Sequence, residues 1–485
     1  VVQQSKVSRS ARLAGVVVMA TSTVLALAVL GIILWEDPHP DWEPRAGSLF
    51  GIDILYDPSA PTLGLIVLSA VIACLAAAAV VIHEARVAAR HRRTAPEVLK
   101  RPLAPRRIME ATRGEFAGEV TITALIPAHN EAQNLGATLE SLRQQTAAPD
   151  RIIVVADNCT DETVPIARAA GVEVFETKDN VHKKGGGLNQ ALAGILPTLG
   201  ANDTLLIMDA DTRFADTRFL ATARQRFTSD RALMAVGGLF RGEPGNGLLG
   251  QFQRNEFARY SREIKRRRGR VFVLTGTASV FRATALREVA ASRGGLLPGH
   301  HGEVYDTVAL TEDNEITLAI KTLGGLTTSP NECGVVTEIM PTWRALWKQR
   351  LRWQRGALEN LGQYGLTSTT ARYWSQQIGI SYSVIALTAY FVLIIIMMLA
   401  LTEWIWFTFW ITVGIIFMLE RVITVWSGGW KARLLAVFVI PELLYDLYCN
   451  IIFVKGVLDM TFAKEATWSH HEQGPRRNRV AGGQA

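Results

Sequence analysis

Long apolar runs bracket the chain, and a region of short alternating runs lies between them. Residues 13–34, 63–82 and 373–401 are free of charged side chains. Each reaches the roughly 20 apolar residues that a bilayer-spanning helix needs. Residues 404–426 and 434–454 are weaker candidates, because the first contains Glu420 and Arg421 and the second Glu442 and Asp446. Between these flanks the pattern changes. Residues 119–127 read as a strand that stops at Pro127, and 135–145 have helical periodicity. Residues 151–156 are a continuously apolar strand followed by Asp157 and a helix through 170. A short strand over 172–175, a helix over 188–195 and a strand over 204–208, ending directly in Asp209, complete the series. Strands and helices alternating at this pitch predict a mostly parallel sheet covered on both faces. In such sheets ligands bind outside the carboxyl ends of the strands, which is where His129, Asp157, Asp209 and Asp211 fall.

Farther on the pattern is less regular over 237–270 and returns to strand character over 271–281. Residues 298–306, with His300 and His301, read as a loop. Thr311 is placed to cap a helical run that continues to Lys321. Residues 341–361 space Trp343, Trp347, Leu351 and Trp353 among Arg344, Lys348, Arg350 and Arg352. That amphipathic helix suits the headgroup layer of a membrane.

Charge orients the whole. The 485 residues carry a formal charge of +7 and a mean hydropathy of +0.17, too apolar for an ordinary soluble protein and too charged for membrane throughout. Lys6, Arg9 and Arg12 precede the first apolar run, which reads as a span and not a cleaved leader. The loop over 35–61 is acidic, with Arg45 its one basic residue, whereas Arg86 to Arg107 are densely basic. The excess of Arg and Lys predicts a cytoplasmic amino terminus and a cytoplasmic domain over about 84–372. The basic residues flank spans instead of interleaving with aromatics, so no nucleic acid is expected as a partner. Cys74, Cys159, Cys333 and Cys449 have neither metal-ligand nor disulfide spacing. Five spans would leave the carboxyl terminus outside, against the preference of Arg476, Arg477 and Arg479. The segment over 434–454 is the irregular one: Glu442 and Asp446 share a helical face, and Pro441 is placed to bend it.

Several residues could carry chemistry. Asp209 and Asp211, two apart after a strand, can reach one divalent ion, although such pairs also occur in loops by chance. Asp313 could act as a general base, or Glu312, Asp313 and Glu315 could simply favour the positive end of their helix. Lys184 to Asn189, with three glycines, reads as a loop whose backbone could approach phosphates. Arg352 could offset leaving-group charge. Trp353 could face a sugar, or anchor at the lipid interface.

Together these residues resemble the processive, membrane-embedded inverting glycosyltransferases of family 2, which include cellulose, hyaluronan, chitin-oligosaccharide and poly-N-acetylglucosamine synthases. The ordered matches are the segment from Pro127 through His129 to Glu131, then Asp157, Lys184 to Asn189, Asp209 with Asp211, Asp313, and Gln349 with Arg352 and Trp353. The resemblance implies a nucleotide-sugar-binding α/β domain of the GT-A type inserted between transmembrane α-helices. It implies a donor site from Pro127, His129, Glu131, Asp157, Lys184, Asn189 and Asp209, with Mg²⁺ or Mn²⁺ at Asp209 and Asp211. Asp313 would be the base, acting with Gln349, Arg352 and Trp353. The acceptor would meet Trp353, Glu312, Thr275 and Gly276. The partners implied are a UDP-sugar, a growing polysaccharide or lipid acceptor, membrane lipids, and accessory export or modification proteins. His129 departs from the aromatic residue of many members.

The expected organisation is two spans over 1–83, a basic linker over 84–118, the catalytic domain over 119–340 and interface helices over 341–372. A membrane region of two or three spans over 373–460 and a basic tail over 461–485 follow. The expected activity is polymerisation of a sugar, N-acetylglucosamine by family analogy, with export across the cell membrane, and the acids of 434–454 bordering the polymer path. Two other readings are a non-processive enzyme adding one sugar to a lipid or short glycan, and a catalytically inactive membrane scaffold or transport subunit.

Overall fold

The computed structural model describes residues 9–35, 44–57, isolated positions between 62 and 86, and residues 119–230, 233–267, 269–400 and 405–462. Most of the second apolar run, nearly all of the basic linker and the basic tail beyond 462 lie outside the described residues.

In chain order, helix α1 (Arg9–Trp35) precedes a hairpin of β1 (Arg45–Leu49) and β2 (Ile52–Asp57). The central domain then runs β3 (Ile122–Ala128), α2 (Leu135–Arg143), β4 (Arg151–Ala156), α3 (Thr163–Ala169), β5 (Glu173–Glu176), α4 (Lys183–Ile195) and β6 (Thr204–Met208). It continues with β7 (Arg213–Phe214), α5 (Phe219–Ser229), β8 (Leu233–Gly237), β9 (Leu239–Gly242), α6 (Gly247–Arg266) and β10 (Ala278–Arg282). Next come α7 (Ala283–Ser292), α8 (Glu312–Thr322), β11 (Leu326–Thr328), β12 (Gly334–Thr337) and α9 (Trp343–Tyr364). The last described elements are α10 (Ala371–Ala400), β13 (Ile405–Phe407), α11 (Thr408–Thr424), α12 (Gly429–Val437) and α13 (Val439–Thr461).

Seven strands form the main sheet in the order β11-β8-β10-β6-β3-β4-β5. The half predicted from the apolar runs is parallel: β3 pairs in parallel with β4 and β6, and β4 with β5. The other half is mixed, because β10 runs antiparallel to both β6 and β8. An apolar run discloses a buried strand but not its direction. One face is filled by Leu188 and Leu192 of α4, Leu286 and Val289 of α7 and Ile316 and Ile320 of α8. The opposite face takes Leu135, Leu139 and Leu142 of α2 and Phe219, Leu220 and Phe227 of α5. Covered on both faces, the sheet leaves its strand ends as the polar edge.

Three local expectations are corrected. Lys184 to Asn189 are the first turns of α4 and not a loop. All of 247–266, in the stretch read as irregular, is the long helix α6, preceded by Gly245 and Asn246 at positive φ. Strand character over 271–281 begins only at Ala278, and the residues before it, Thr275 and Gly276, run beneath Asp313.

The hairpin β1–β2 continues into β13, which pairs in parallel with β2, so the acidic loop meets the break between α10 and α11. Among the described residues no single helix is long and apolar enough to cross a membrane. The helices Thr408–Thr424 and Trp426–Val437, bent by 57°, pass that test together by length and composition. The irregular segment breaks at Phe438, three residues before Pro441, leaving α12 and α13 as separate helices. Glu442 does not border an open path. It is 2% exposed and accepts from Asn255 Nδ2 at 2.8 Å, Arg259 Nη2 at 2.5 Å and Arg421 Nη1 at 3.0 Å. Arg421 also pairs with Asp446. Because lone buried charge is costly, these ions sit together, and they tie α6 of the central domain to α11 and α13.

Candidate active site

Three strand ends build the donor side of the site. After β3 the chain turns through Asn130 at φ 57, and after β4 through Asn158 at φ 49. Asparagine tolerates this left-handed region because its side chain bonds locally. Asn130 Oδ1 accepts from Thr160 N at 2.8 Å, and Asn158 Nδ2 donates to Asn180 O at 2.9 Å. The two turns bring His129 and Asp157 together, with the His129 Nδ1 nitrogen 2.6 Å from the Asp157 carbonyl. Asp157 is itself buried, its Oδ1 accepting from Thr177 Oγ1 and Asn180 Nδ2 at 2.8 Å each. Asn180 also fixes the start of α4: a Cβ on Gly186 would stand 2.2 Å from Asn180 Oδ1. The glycines thus let α4 press against the strand-end loops, which is a different use from a bare phosphate loop.

Lys184, on the first turn of α4, reaches across to the centre. Its Nζ lies 2.6 Å from Asp209 Oδ1 and 3.1 Å from Glu312 Oε1, and 3.4 Å from the Gly276 carbonyl. Burial works against its charge, but Asp209 and then Glu312 hold its pKa above the ordinary lysine value. Glu312 is held below the usual glutamate value although burial opposes its charge, because Lys184 and then Arg352 favour the carboxylate. Asp313 behaves differently. Burial first, then the neighbouring Glu312 carboxylate, push its pKa up to about 6. Its Oδ2 accepts from Gly276 N at 3.3 Å and its Oδ1 from Asn314 N at 2.8 Å. The two acids are therefore pushed apart, Glu312 held below its ordinary value beside lysine and Asp313 raised to about 6. Lys184, Thr275, Gly276, Tyr305, Glu312 and Asp313 all line one small cavity.

Asp211 gathers negative charge on the other side of Asp209. Burial, then Asp209, Glu131 and Glu338, raise its pKa to about 7. Sequence reasoning missed Glu338. The antiparallel pairing of Val336 with Arg213 between β12 and β7, continued two residues, puts Glu338 opposite Asp211. Nothing in the local sequence signals it, because the pairing joins residues more than 100 apart. Glu131 is likewise raised, by burial above all. Such mutual crowding of carboxylates is relieved by a divalent cation. Among the described residues no three His, Cys, Asp or Glu side chains are grouped to hold an ion by themselves. Asp209 and Asp211 thus fit Mg²⁺ or Mn²⁺ that takes its other ligands from water and substrate phosphates.

Asn189, expected on the donor side, makes its hydrogen bonds to the backbone of a neighbouring loop. Its Oδ1 accepts from Val304 N at 3.1 Å and Tyr305 N at 2.9 Å, and its Nδ2 donates to the Tyr305 carbonyl at 2.9 Å. It pins the loop that carries Tyr305 under Lys184. Pro127 is the next-to-last residue of β3, in register with Val155 of β4.

Helix α9 closes the site. Its Gly356 packs so near Thr311 that a Cβ there would lie 2.4 Å from Thr311 Oγ1. Asn360 Nδ2 reaches the Thr311 carbonyl at 3.4 Å. These contacts set Arg352 against the start of α8, where its Nη1 donates to the Leu310 carbonyl at 3.3 Å. Trp353 is half-buried and carries the Arg350 guanidinium 4.4 Å above its ring. Gln349 lies one turn earlier with its Oε1 buried. The expected interfacial helix is therefore held within the protein as well: Trp343 and Trp347 pack edge-on to Tyr448 of α13 at 5.0 and 5.6 Å.

Parts of the chain are similar to known proteins. Residues 123–290 match the family described as Glycosyl transferase family 2. This stretch is similar to a family 2 glycosyltransferase domain. Over 251 residues the chain is 26% identical to a poly-beta-1,6-N-acetyl-D-glucosamine synthase of Staphylococcus aureus, covering 50% of this chain and 55% of that protein. It is 32% identical over 118 residues to the O-antigen chain rhamnosyltransferase RfbN of Salmonella typhimurium, covering 24% and 36%. The chain thus spans about half the length of the first of these relatives. Among solved structures, a mannosyltransferase from Pyrobaculum calidifontis, in complex with GDP-Man and Mn²⁺, superimposes with a TM-score of 0.45 at 15% identity, covering 79% of this chain and 99% of that one.

Proposed function

We propose that the chain is an inverting, metal-dependent polysaccharide synthase that transfers N-acetylglucosamine from its UDP derivative to a growing β-linked glycan at a membrane. The observation that carries this is the opposed pair at the head of α8. Glu312 is locked to Lys184, while Asp313, one residue on, has a pKa lifted to about 6 and faces the same cavity. Asp313 takes the proton of the acceptor hydroxyl as that oxygen attacks the anomeric carbon, and the bond to the diphosphate breaks in the same in-line step. No second carboxylate nucleophile is needed. Lys184 and Arg352 hold the charge of the departing diphosphate from two sides. Mg²⁺ or Mn²⁺ bound through Asp209 and Asp211 would supply electrostatic stabilisation of that leaving group. His129 and Asp157 border the nucleotide side, and Trp353 with Thr275 and Gly276 the acceptor side.

Similarity to the staphylococcal synthase supports N-acetylglucosamine as the sugar. Membrane attachment is supported by apolar side chains left open on the flanking helices, such as Leu399 of α10 at 83% exposure and Ile416 of α11 at 62%. We infer that the central domain faces the cytoplasm and that the product leaves along the flanking helices. A second reading, transfer of single sugars without polymerisation, is favoured by the higher identity to the rhamnosyltransferase over its shorter stretch. Both are tested by offering the full chain a panel of radiolabelled nucleotide sugars with Mn²⁺ and sizing the product. Long labelled chains from UDP-N-acetylglucosamine support the synthase, and one sugar per acceptor from another donor supports the second reading.

A further inference from the structure

Arg350 lies on α9 among the three residues assigned to the site, Gln349, Arg352 and Trp353, yet the reaction as described makes no use of it. Its side chain is only 10% exposed, its Nη2 donates to Glu256 Oε2 at 2.8 Å, and its guanidinium sits 4.4 Å from the centre of the Trp353 ring. Glu256 belongs to α6, almost 100 residues upstream. The same Oε2 atom accepts from the Tyr445 hydroxyl of α13 at 2.9 Å. Tyr445 is 6% exposed and stacks on Phe252, one turn before Glu256, with ring centroids 4.9 Å apart. Three helices distant in sequence therefore meet at one carboxylate oxygen, and the cation they hold covers the indole face.

A guanidinium parallel to an aromatic ring is attracted to it most strongly when desolvated. It stays there only if its charge is balanced, because a lone buried cation is costly. Glu256 is the carboxylate that pairs with it. Without Glu256, Arg350 would gain by turning toward water, which would uncover one face of Trp353 and free its rotamer.

We propose that Glu256 is a positioning residue for acceptor binding: through Arg350 it fixes the orientation of Trp353, and through Tyr445 it ties that orientation to α13. This rests on the reading of Trp353 as an acceptor contact in a glycosyltransferase. A shift of α13 as product leaves would reach Trp353 through two hydrogen bonds and one ring contact.

The test uses the full chain in detergent. The contribution of Trp353 to fluorescence is isolated by subtracting W353F from wild type, and E256Q/W353F from E256Q. Transfer kinetics are measured with UDP-N-acetylglucosamine and N-acetylglucosamine oligomers. In E256Q the Trp353 emission should shift to the red and become more accessible to acrylamide. KM for the oligomer should rise roughly tenfold, the scale of a desolvated cation–π contact, with KM for the donor unchanged. Y445F, which leaves the Arg350–Glu256 pair in place, should show a smaller rise, and E256D should recover part of the loss. An unchanged Trp353 signal, or donor and acceptor KM rising together, would overturn the proposal. If wild type transfers no sugar while the Trp353 signal still shifts in E256Q, the glycosyltransferase reading fails and the brace itself is upheld.

Discussion

At the scale of single residues, the account turns on two carboxylates one position apart that face different neighbours. Asp313 must be ionised to accept a proton, and its pKa is raised to about 6. We expect kcat/KM to be flat above that pH and to fall about tenfold per unit below it, as a pH–rate profile on purified protein would read. In Asp313→Asn the activity should drop by roughly 10³-fold with the melting temperature retained. Asp211, raised to about 7 by burial and by Asp209, Glu131 and Glu338, must lose its proton to bind a cation. Mn²⁺ binding followed by electron paramagnetic resonance should therefore weaken as pH falls from 8 to 6. Equal affinity at the two values would remove Asp211 from the metal site. The sequence announced Asp209, Asp211 and Asp313 by their place at a strand end or helix start. It could not announce Glu338, which arrives through strand pairing, or the hydrogen bonds by which Asn189 holds the backbone of Val304 and Tyr305.

At the scale of elements, α8 and α9 are set against each other at two points. One is the close approach of Gly356 to Thr311, where a Cβ would stand 2.4 Å from the hydroxyl. Gly356→Ala should separate the two helices, cost about 1–3 kcal/mol of stability, and lower transfer more than the stability loss alone explains, since Arg352 and Trp353 move from Asp313. The other is Tyr364 of α9, which donates at 2.6 Å to Glu315 of α8. That carboxylate also pairs with Arg293 just after α7, both ions fully buried, with Nη1–Oε1 and Nη2–Oε2 at 2.7 Å. Glu315→Ala would strand the guanidinium and should destabilise the domain by about 3–5 kcal/mol in thermal unfolding. The parallel strands were legible because their apolar runs end in polar turns. Helix α6 was not, since its twenty residues are strongly polar on one face and its glycine-rich entry reads as loop. The start of α4 was misread for a related reason: glycine there serves packing against Asn180, although the residue disfavours helix.

At the scale of the whole molecule, the central domain and the C-terminal helices are joined by buried charge, not by apolar contact alone. Glu442, paired with Arg259 and Arg421, sits where hydropathy alone suggests an acid exposed to a path. Hydropathy counts charges along one segment and cannot see the cations that two other segments bring. The flanks were legible as apolar, but their breaks at Phe438 and at β13 depend on the hairpin β1–β2 and on α6, both remote in sequence. The central claim, that one displacement at Asp313 joins an activated sugar to an acceptor, is tested most directly by the stereochemistry of the product. Nuclear magnetic resonance of the glycan made from an α-linked UDP-sugar should show β linkages formed by wild type and almost none by Asp313→Asn. An α-linked product, or undiminished transfer by Asp313→Asn, would contradict it.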